Sequence, residues 1–443
     1  TIDDSPVNNI KTVNSDSIFA PISRDEIKLA LSNTKKDSAA GPDSVTIKEA
    51  KAIIDNLYVA YNIWLGVQGI PEQLKLNKTI LIPKGNSDLS LLKNWRPITI
   101  SSIILRVYNR LLAYRMNKVF KTNDKQVGFK PVNGCGINIS WLHSLLKHAR
   151  LNKNPIYACL VDVSKAFDSV SHQSIVRALT MNGAPSLLVK LIMDQYTNIN
   201  TIITCSGSIS NKINISSGVK QGDPLSSLLF NMVIDELFDV IKDQYGYTID
   251  NIGTTNARCF ADDLTLISSS RMGMNKLLEL TTEFFKERGL NVNPSKCMSI
   301  GMSKGYKGKK SKIESEPLFS IADAQIPMLG YIDKTTRYLG VNFTSIGAID
   351  AKRIKKDLQD TLDKLEHLKL KAQCKMDLLR TYMIPRFMFQ LIHTELYPKL
   401  LIKMDILIRK LAKRILHLPI STSSEFFYLP FKEGGLQLNS LKE

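Results

Sequence analysis

The 443-residue sequence has few cysteines and histidines, and neither type is clustered. Its six cysteines contain no Cys-x-x-Cys pair and its six histidines are scattered, so spacing supports no zinc finger, no His-based metal site and no Ser-His-Asp triad. The sequence also lacks an apolar run of about 18 residues, the length that a membrane-spanning helix needs. We therefore expect reduced thiols inside a cell and no membrane partner.

Acidic residues are scarce relative to basic ones. The sequence has 59 Lys and Arg against 41 Asp and Glu, a formal net charge of +18. This excess favours a polyanionic partner, nucleic acid first and an anionic membrane surface second. The length predicts two or three domains. The N-terminus shows no targeting pattern and no Met, from which we expect a fragment excised from a longer protein.

Two adjacent aspartates, Asp262 and Asp263, lie between short segments rich in β-branched and apolar residues. This pattern predicts a β-hairpin with the pair in its turn. Adjacent carboxylates repel each other unless a cation compensates them, and Mg²⁺ is the usual oxygen-bound partner. On its own the turn fits a solvated hairpin better than a metal site, because Asp is common in turns.

A third carboxylate, Asp162, ends the apolar segment 156–161, which reads as a buried strand. Burying an unpaired carboxylate costs several kcal/mol, so Asp162 needs a basic residue or a metal as its partner. Phe167 follows five residues later and reads in isolation as a core aromatic. Further on, Asp223 and Pro224 suit the cap and first position of a helix that the apolar run 228–238 continues, and Gly222 permits close approach of a backbone or ligand.

Two cations, Lys84 and Arg96, are predicted at the tips of strands over 78–86 and 94–100. If the two cations lie close together, they are suited to binding phosphate. Two separate, solvated loop cations would give the same sequence pattern. A capping box at Ser23 and Glu26 opens the first helix, and further helices are predicted over 45–66 and 101–120. Arg115 falls on a polar position of the third.

The C-terminal part shows a purely helical pattern, with helices predicted over 350–373, 376–396 and 398–417 and interruptions at Pro385 and Pro398. Residues 351–443 carry 18 Lys and Arg against ten Asp and Glu. A basic helical bundle is suited to gripping a nucleic-acid duplex, and a helical domain with solvated lysines fits equally well.

The order of these motifs resembles the palm and thumb of a reverse transcriptase, over residues from about 20 to 443. The matching blocks are 81–84, 94–98, 128–129, 166–168, 221–226 and 260–263. Segments 94–100, 133–135 and 166–172 look like the non-LTR retrotransposons that insert site-specifically into ribosomal RNA genes. The resemblance implies an α+β right-hand polymerase: an N-terminal helical extension of the fingers (1–70), fingers and palm built from antiparallel sheet and helices (71–348), and a basic helical thumb (349–443).

The resemblance implies an RNA-directed DNA polymerase that extends a DNA primer on an RNA template by two-metal-ion nucleotidyl transfer, as in target-primed reverse transcription. Asp162 and Asp262 would hold two Mg²⁺ ions, with Mn²⁺ as a substitute, and Asp263 would assist and tolerate change better. Lys84 and Arg96 would clamp the triphosphate. The implied partners are the RNA template, the DNA primer, their heteroduplex and dNTPs, and the implied location is the nucleus.

The remaining implied sites contact the nucleotide or the duplex. Phe167 occupies the steric-gate position that blocks a ribonucleotide 2′-hydroxyl. Gln221 and Gly222 would lie against the templating base pair, and Lys296 matches the lysine that protonates pyrophosphate. Tyr338-Leu339-Gly340 resembles the primer grip.

One departure and two alternatives accompany this interpretation. Members of the subfamily carry zinc modules and an endonuclease. These cysteines cannot form the zinc modules, and the sequence ends soon after the thumb, so we expect polymerisation on a supplied primer without target nicking. A group II intron maturase is the nearest enzymatic alternative. A non-catalytic RNA-binding scaffold of the same fold is the alternative from another class, and loss of one of the three aspartates would favour it.

Overall fold

A computed structural model describes residues 14–85, 88–205, 207–305, 311–330, 334–394 and 398–442. The first 13 residues of the predicted N-terminal extension, residue 86 of the first predicted strand and the last two residues of the predicted helix 376–396 lie outside these ranges. The described helices are α1 Asp16–Phe19, α2 Arg24–Ser32, α3 Ile47–Ala52, α4 Ile54–Val67, α5 Ile103–Val119, α6 Gly134–Asn152, α7 Ala166–Ser169, α8 His172–Met181, α9 Ser186–Asp194, α10 Ser226–Asp235, α11 Leu237–Val240, α12 Arg271–Glu287, α13 Ala351–His367, α14 Ala372–Leu378, α15 Ile384–His393, α16 Pro398–Ile415 and α17 Glu425–Tyr428.

The described strands are mostly short. They are β1 Leu76–Pro83, β2 Trp95–Ile100, β3 Ile156–Val161, β4 Val163–Ser164, β5 Asn200–Cys205, β6 Ser208–Ile209, β7 Ile213–Asn214, β8 Tyr247–Ile249, β9 Gly253–Thr255, β10 Ala257–Phe260, β11 Asp263–Ser268, β12 Asn291–Val292, β13 Met298–Lys304, β14 Ser311–Ile313, β15 Ser320–Ile321, β16 Ala324–Gln325, β17 Thr335–Tyr338 and β18 Val341–Thr344. None of the described helices is long and apolar enough to cross a bilayer.

The chain divides into two compact units, each assembled from segments that are distant in sequence. The first unit comprises Thr1–Gly134, Val161–Cys297 and Ser320–Gln325. The second unit comprises Cys135–Leu160, Met298–Phe319 and Ile326–Glu443. The predicted three-part division at residues 70 and 348 stays a prediction.

A mixed sheet in the first unit carries the two predicted phosphate-binding cations. Its strand order is β2-β1-β5-β6, with β7 also paired to β5. The β1–β2 pair is antiparallel and sets Ile82 opposite Arg96, whereas β1 and β5 are parallel. Lys84 directly follows β1, so this register brings Lys84 and Arg96 to the same edge. The strands predicted at 78–86 and 94–100 are confirmed within the described residues.

Helices α2 to α5 pack into an apolar core of the first unit. The Ser23–Glu26 capping box is present as predicted. The helix predicted over 45–66 is wrong as a single element, because it breaks at Ile53 into α3 and α4, and Thr46 with Glu49 forms a second capping box. Both boxes satisfy backbone N–H groups that a helix start leaves without partners.

Arg115 does not occupy a polar face of α5 as predicted. Its side chain is 7% exposed and pairs with Glu26, with 2.8 Å between Nη2 and Oε2. It also donates to the carbonyls of Ile18 and Ala20, and thereby ties α1 to α5. Helical periodicity shows only that a position is polar. It does not distinguish an arginine that donates to buried carbonyls from one that faces solvent, so the sequence pattern misassigned Arg115.

The helix after Gln221 begins later than predicted. Asp223 was expected as its N-cap, but α10 begins at Ser226. Asp223 is buried and its Oδ1 accepts from the N–H of Leu225, 2.9 Å away, so it forms a local Asx-type turn before the helix. Asn109 Nδ2 donates to the other carboxylate oxygen at 2.7 Å. The buried charge is therefore hydrogen-bonded on both oxygens.

The second unit contains the antiparallel strands β3, β13 and β14 and the C-terminal helices. Helices α13, α15 and α16 bury one apolar face each in a common core. The predicted break at Pro385 is wrong: a π-helical turn over Leu379–Met383 leads directly into α15, where Pro385 occupies the first turn. A proline inside a helical run removes one backbone N–H donor, and the π-helical turn directly before Pro385 is an irregularity of the kind that accommodates this loss.

Candidate active site

The aspartate pair lies at the predicted hairpin between β10 and β11. Phe260 pairs with Asp263, so Ala261 and Asp262 form a two-residue loop and Asp263 begins β11. Ala261 has a φ of 58°, the positive value that tight two-residue hairpins require. The turn therefore presents two consecutive carboxylates at one end of the ladder.

Asp162 directly follows β3, and a loop hydrogen-bonds both its backbone C=O and its backbone N–H. Its carbonyl accepts from the N–H of Asn293 at 2.9 Å, and its own N–H donates to Cys297 Sγ at 3.4 Å. The same loop carries Lys296, whose Nζ is 4.0 Å from Asp162 Oδ2. Asn293 and Cys297 were not predicted as site residues, because their contacts with the Asp162 backbone leave no sequence pattern.

The three carboxylates lie close enough to interact electrostatically, and each has a raised pKa. Burial is the main cause for Asp162, opposed by Lys296. Burial also raises the pKa of Asp262, to which Asp162 adds. The pKa of Asp263 rises from 3.8 to about 6, through restricted solvation first and then the charges of Asp262 and Asp162. By surface area Asp263 is the most exposed of the three, so solvent screens much of the energy of this shift.

Such a cluster fits a divalent cation by the chemistry of its donors. Within the described ranges, no three His, Cys, Asp or Glu side chains are grouped tightly enough to form a closed metal site. The aspartates nonetheless supply hard carboxylate oxygens, which Mg²⁺ prefers. Their mutual repulsion, which adds to the effect of burial on the pKa values of Asp262 and Asp263, is what a bound cation would relieve.

Phe167 lies in α7 within a stack of three aromatic rings. Its ring is parallel to that of Phe230, with 4.5 Å between centroids and 13° between planes. The edge of Phe129 meets it at 5.8 Å and 77°. Phe167 remains partly exposed. The two neighbours thus fix the orientation of a ring that still has an accessible side.

Gln221 contacts the residue that follows Phe167. Its Nε2 donates to Asp168 Oδ1 at 2.9 Å. Burial raises the pKa of Asp168, while Gln221, Lys165 and Lys84 oppose the rise, so Lys84 is near enough to act on this carboxylate. Asp168 was not predicted as a site residue.

The surroundings of Gly222, Lys84 and Arg96 are accessible to solvent. Gly222 has a φ of 104°, and a Cβ there would meet only the Thr99 carbonyl, at 3.8 Å. Lys84 and Arg96 are both exposed. A ligand can therefore approach the Gly222 backbone closely, and both cations lie at the protein surface.

The predicted primer-grip residues lie in the second unit. They belong to a hairpin of β17 and β18, with Leu339 and Gly340 in the turn at φ values of 44° and 92°. Tyr338 is 5% exposed and packs on Phe343, with 6.1 Å between ring centroids. The turn backbone, rather than the tyrosine ring, is the accessible part of this motif.

Comparisons with known proteins place these residues in context. The reverse transcriptase (RNA-dependent DNA polymerase) family matches residues 82–343. The retrovirus-related Pol polyprotein from type-2 retrotransposable element R2DM of Drosophila melanogaster is 34% identical over 418 residues, 94% of this chain and 39% of the relative. The Pol polyprotein from type-1 retrotransposable element R2 of Nasonia vitripennis is 34% identical over 423 residues, which cover 95% of this chain and 40% of the relative. The Pol polyprotein from type-1 retrotransposable element R2 of Bradysia coprophila is 31% identical over 431 residues, which cover 97% of this chain and 48% of the relative. The chain thus spans less than half the length of each of these relatives.

Proposed function

The chain belongs to the reverse transcriptase (RNA-dependent DNA polymerase) family, in the group of non-LTR R2 retrotransposable elements, and on this premise we propose that it extends the 3′ end of a DNA primer on an RNA template during target-primed reverse transcription. The observation that carries the proposal is the convergence of Asp162, Asp262 and Asp263 in one electrostatic cluster. Its partners are then the RNA template, the DNA primer, their heteroduplex and dNTPs. The proposed place of action is the nucleus.

The three carboxylates form the catalytic centre in this proposal. Asp162 and Asp262 would hold two Mg²⁺ or Mn²⁺ ions, with Asp263 assisting. Such ions, when bound, activate the primer 3′-hydroxyl and stabilise the leaving pyrophosphate. The task of the protein is to keep like charges close together, and the backbone contacts of Asp162 with Asn293 and Cys297 support that task. Lys296, beside Asp162, is placed to give a proton to the pyrophosphate.

The incoming nucleotide is bound from the sheet edge in this proposal. Lys84 and Arg96, neighbours across the β1–β2 ladder, would contact the triphosphate and neutralise charge that develops on it. Gln221 and Gly222 would lie against the templating base pair. The hydrogen bond from Gln221 to Asp168 supports this role, because it fixes the orientation of the amide.

Phe167 is the proposed steric gate for the sugar. Its stacking on Phe230 and its contact with Phe129 hold the ring in one orientation. A fixed ring excludes a 2′-hydroxyl because it cannot rotate away. The proposal therefore includes a preference for deoxynucleotides.

In the proposed right-hand arrangement, the mixed sheet with its helical extension is the fingers, the aspartate cluster is the palm and helices α13 to α16 are the thumb. The excess of Lys and Arg after residue 350 supports duplex binding by the thumb, since neutralised phosphates release counterions. The turn at Leu339 and Gly340 would contact the primer backbone. The relatives are Pol polyproteins of retrotransposable elements, which disfavours the maturase alternative.

A primer-extension assay tests the function. A DNA primer annealed to an RNA template is incubated with the chain, four dNTPs and Mg²⁺, and the products are sized. The proposal predicts full extension that stops when EDTA is added. Binding of the duplex without any cDNA would instead identify a non-catalytic scaffold.

A further inference from the structure

Residues 125–129, which belong to none of the named strands, run beside the hairpin that carries Asp262 and Asp263. The carbonyl of Lys125 accepts from the N–H of Cys259 at 2.8 Å, and the N–H of Val127 donates to the carbonyl of Cys259 at 3.0 Å. Gln126 thus pairs in parallel with Cys259 of β10. This places the Gln126 side chain beside the turn that follows β10.

The Gln126 side chain is fully buried and makes three hydrogen bonds at that turn. Its Nε2 donates to the Ala261 carbonyl at 3.1 Å, and its Oε1 accepts from the Ala261 N–H at 2.9 Å. The same Oε1 accepts from the N–H of Gly128 at 2.9 Å. One amide therefore holds both backbone polar groups of the residue that precedes Asp262.

The held residue is the strained one of the turn. Ala261 is 5% exposed and has a φ of 58°, a left-handed conformation that costs a non-glycine residue about 1–2 kcal/mol. Its carbonyl belongs to the peptide bond that joins it to Asp262. Because Gln126 bonds this carbonyl, rotation of that peptide plane, and with it the direction of the Asp262 side chain, is restricted.

The space around the segment leaves little freedom for other arrangements. A Cβ at Gly128 would lie 2.3 Å from the Ala261 nitrogen, and a Cβ at Gly134 would lie 2.5 Å from the Val127 carbonyl oxygen. Asn231 Nδ2 donates to the Gly128 carbonyl at 2.8 Å. The next residue, Phe129, contacts the Phe167 ring. The segment thus contacts both the carboxylate turn and the aromatic stack.

We propose that Gln126 is a positioning residue for the catalytic turn, which sets the direction of Asp262 and Asp263 through its paired hydrogen bonds to Ala261. The proposal rests on the proposed role of these aspartates as metal ligands. Residues that orient metal ligands typically change metal affinity or activity about 10- to 100-fold when mutated. The same range is expected here for loss of the Gln126 amide.

The test compares Gln126→Met with Gln195→Met. Methionine keeps the length and removes the amide. Gln195 is a matched control because it is 1% exposed in the same unit and its Nε2 makes no hydrogen bond among the described residues. Primer extension is measured against Mg²⁺ and dNTP concentration, well below the thermal midpoint of each variant, with Asp262→Asn in the same series.

The expected result is a kcat lowered about 10- to 100-fold and a raised half-saturating Mg²⁺ concentration for Gln126→Met, with the KM for dNTP little changed. Gln195→Met should keep the Mg²⁺ dependence of the parent. A parental Mg²⁺ dependence in Gln126→Met, with only a lower thermal midpoint, overturns the proposal. If Gln126→Met does not fold, Gln126→Asn is read in the same way, since its shorter amide cannot reach both groups of Ala261. Activity retained by Asp262→Asn would instead refute the proposed function itself.

Discussion

Replacing Asp263 with asparagine should stabilise the metal-free protein. The pKa of Asp263 is raised from 3.8 to about 6, so the folded state disfavours the charged carboxylate. This difference corresponds to at most about 3 kcal/mol at neutral pH. Because the side chain is exposed, solvent screening reduces the expected gain to about 1 kcal/mol. For a protein of this size, that gain raises the thermal midpoint by about 1–3 °C.

The pH dependence of the gain has a defined sign. Between about pH 4 and pH 6 the folded protein keeps a proton on Asp263 that the unfolded chain has released, so the free energy of unfolding falls as the pH rises through this window. In Asp263→Asn this decrease in the free energy of unfolding is absent, because asparagine does not titrate. Its advantage over the parent should therefore grow from pH 4 to pH 6 and stay constant above.

Thermal unfolding followed by circular dichroism in EDTA, at several pH values, measures the effect. Asp250→Asn is the matched control, because Asp250 is an exposed carboxylate in the turn between β8 and β9. Added Mg²⁺ should stabilise the parent more than Asp263→Asn. The reasoning is refuted if Asp263→Asn is no more stable than the parent at pH 8, or if it follows the same pH curve as Asp250→Asn.

Four further substitutions separate nucleotide selection, phosphate binding and stability. Phe167→Val should relax sugar discrimination, measured as the ratio of kcat/KM for dNTP and rNTP, by about 10- to 200-fold, and an unchanged ratio would make Phe167 a packing residue only. Lys84→Ala and Arg96→Ala should each lower kcat/KM for dNTP by about 10- to 100-fold through loss of charge-assisted hydrogen bonds, and parental steady-state kinetics would exclude them from the triphosphate site. Arg115→Met should lower the free energy of unfolding, measured by urea denaturation, by about 3 kcal/mol because Glu26 loses its partner, and a parental denaturation midpoint would contradict this account.

Local sequence patterns predicted the elements that present the site. The short apolar and β-branched segments around Asp262 and before Asp162 predicted strands, and the structure has β3, β10 and β11 there. The strands that carry Lys84 and Arg96 were also predicted from local pattern, whereas their antiparallel register, which brings the two residues to one edge, is seen only in the structure.

Contacts between distant residues were not predictable in this way. Gln126 and Ala261 are 135 positions apart, and Gln221 and Asp168 are 53 apart, so no periodicity links them. Arg115 was misassigned for the same reason, since its partner Glu26 is 89 positions away. The π-helical turn before Pro385 contributes Leu379 and Met383 to the core of the C-terminal helices, and helix propensity alone does not predict it.

Extension of a DNA primer on an RNA template by the parent protein and by Asp262→Asn, at saturating dNTP and Mg²⁺, tests the central claim most directly. The substitution preserves the shape of the turn and removes one carboxylate charge. We predict cDNA from the parent and loss of extension in the variant, with the RNA–DNA duplex still bound. Full activity in Asp262→Asn, or no cDNA from the parent, would contradict the assignment of this turn as the catalytic centre.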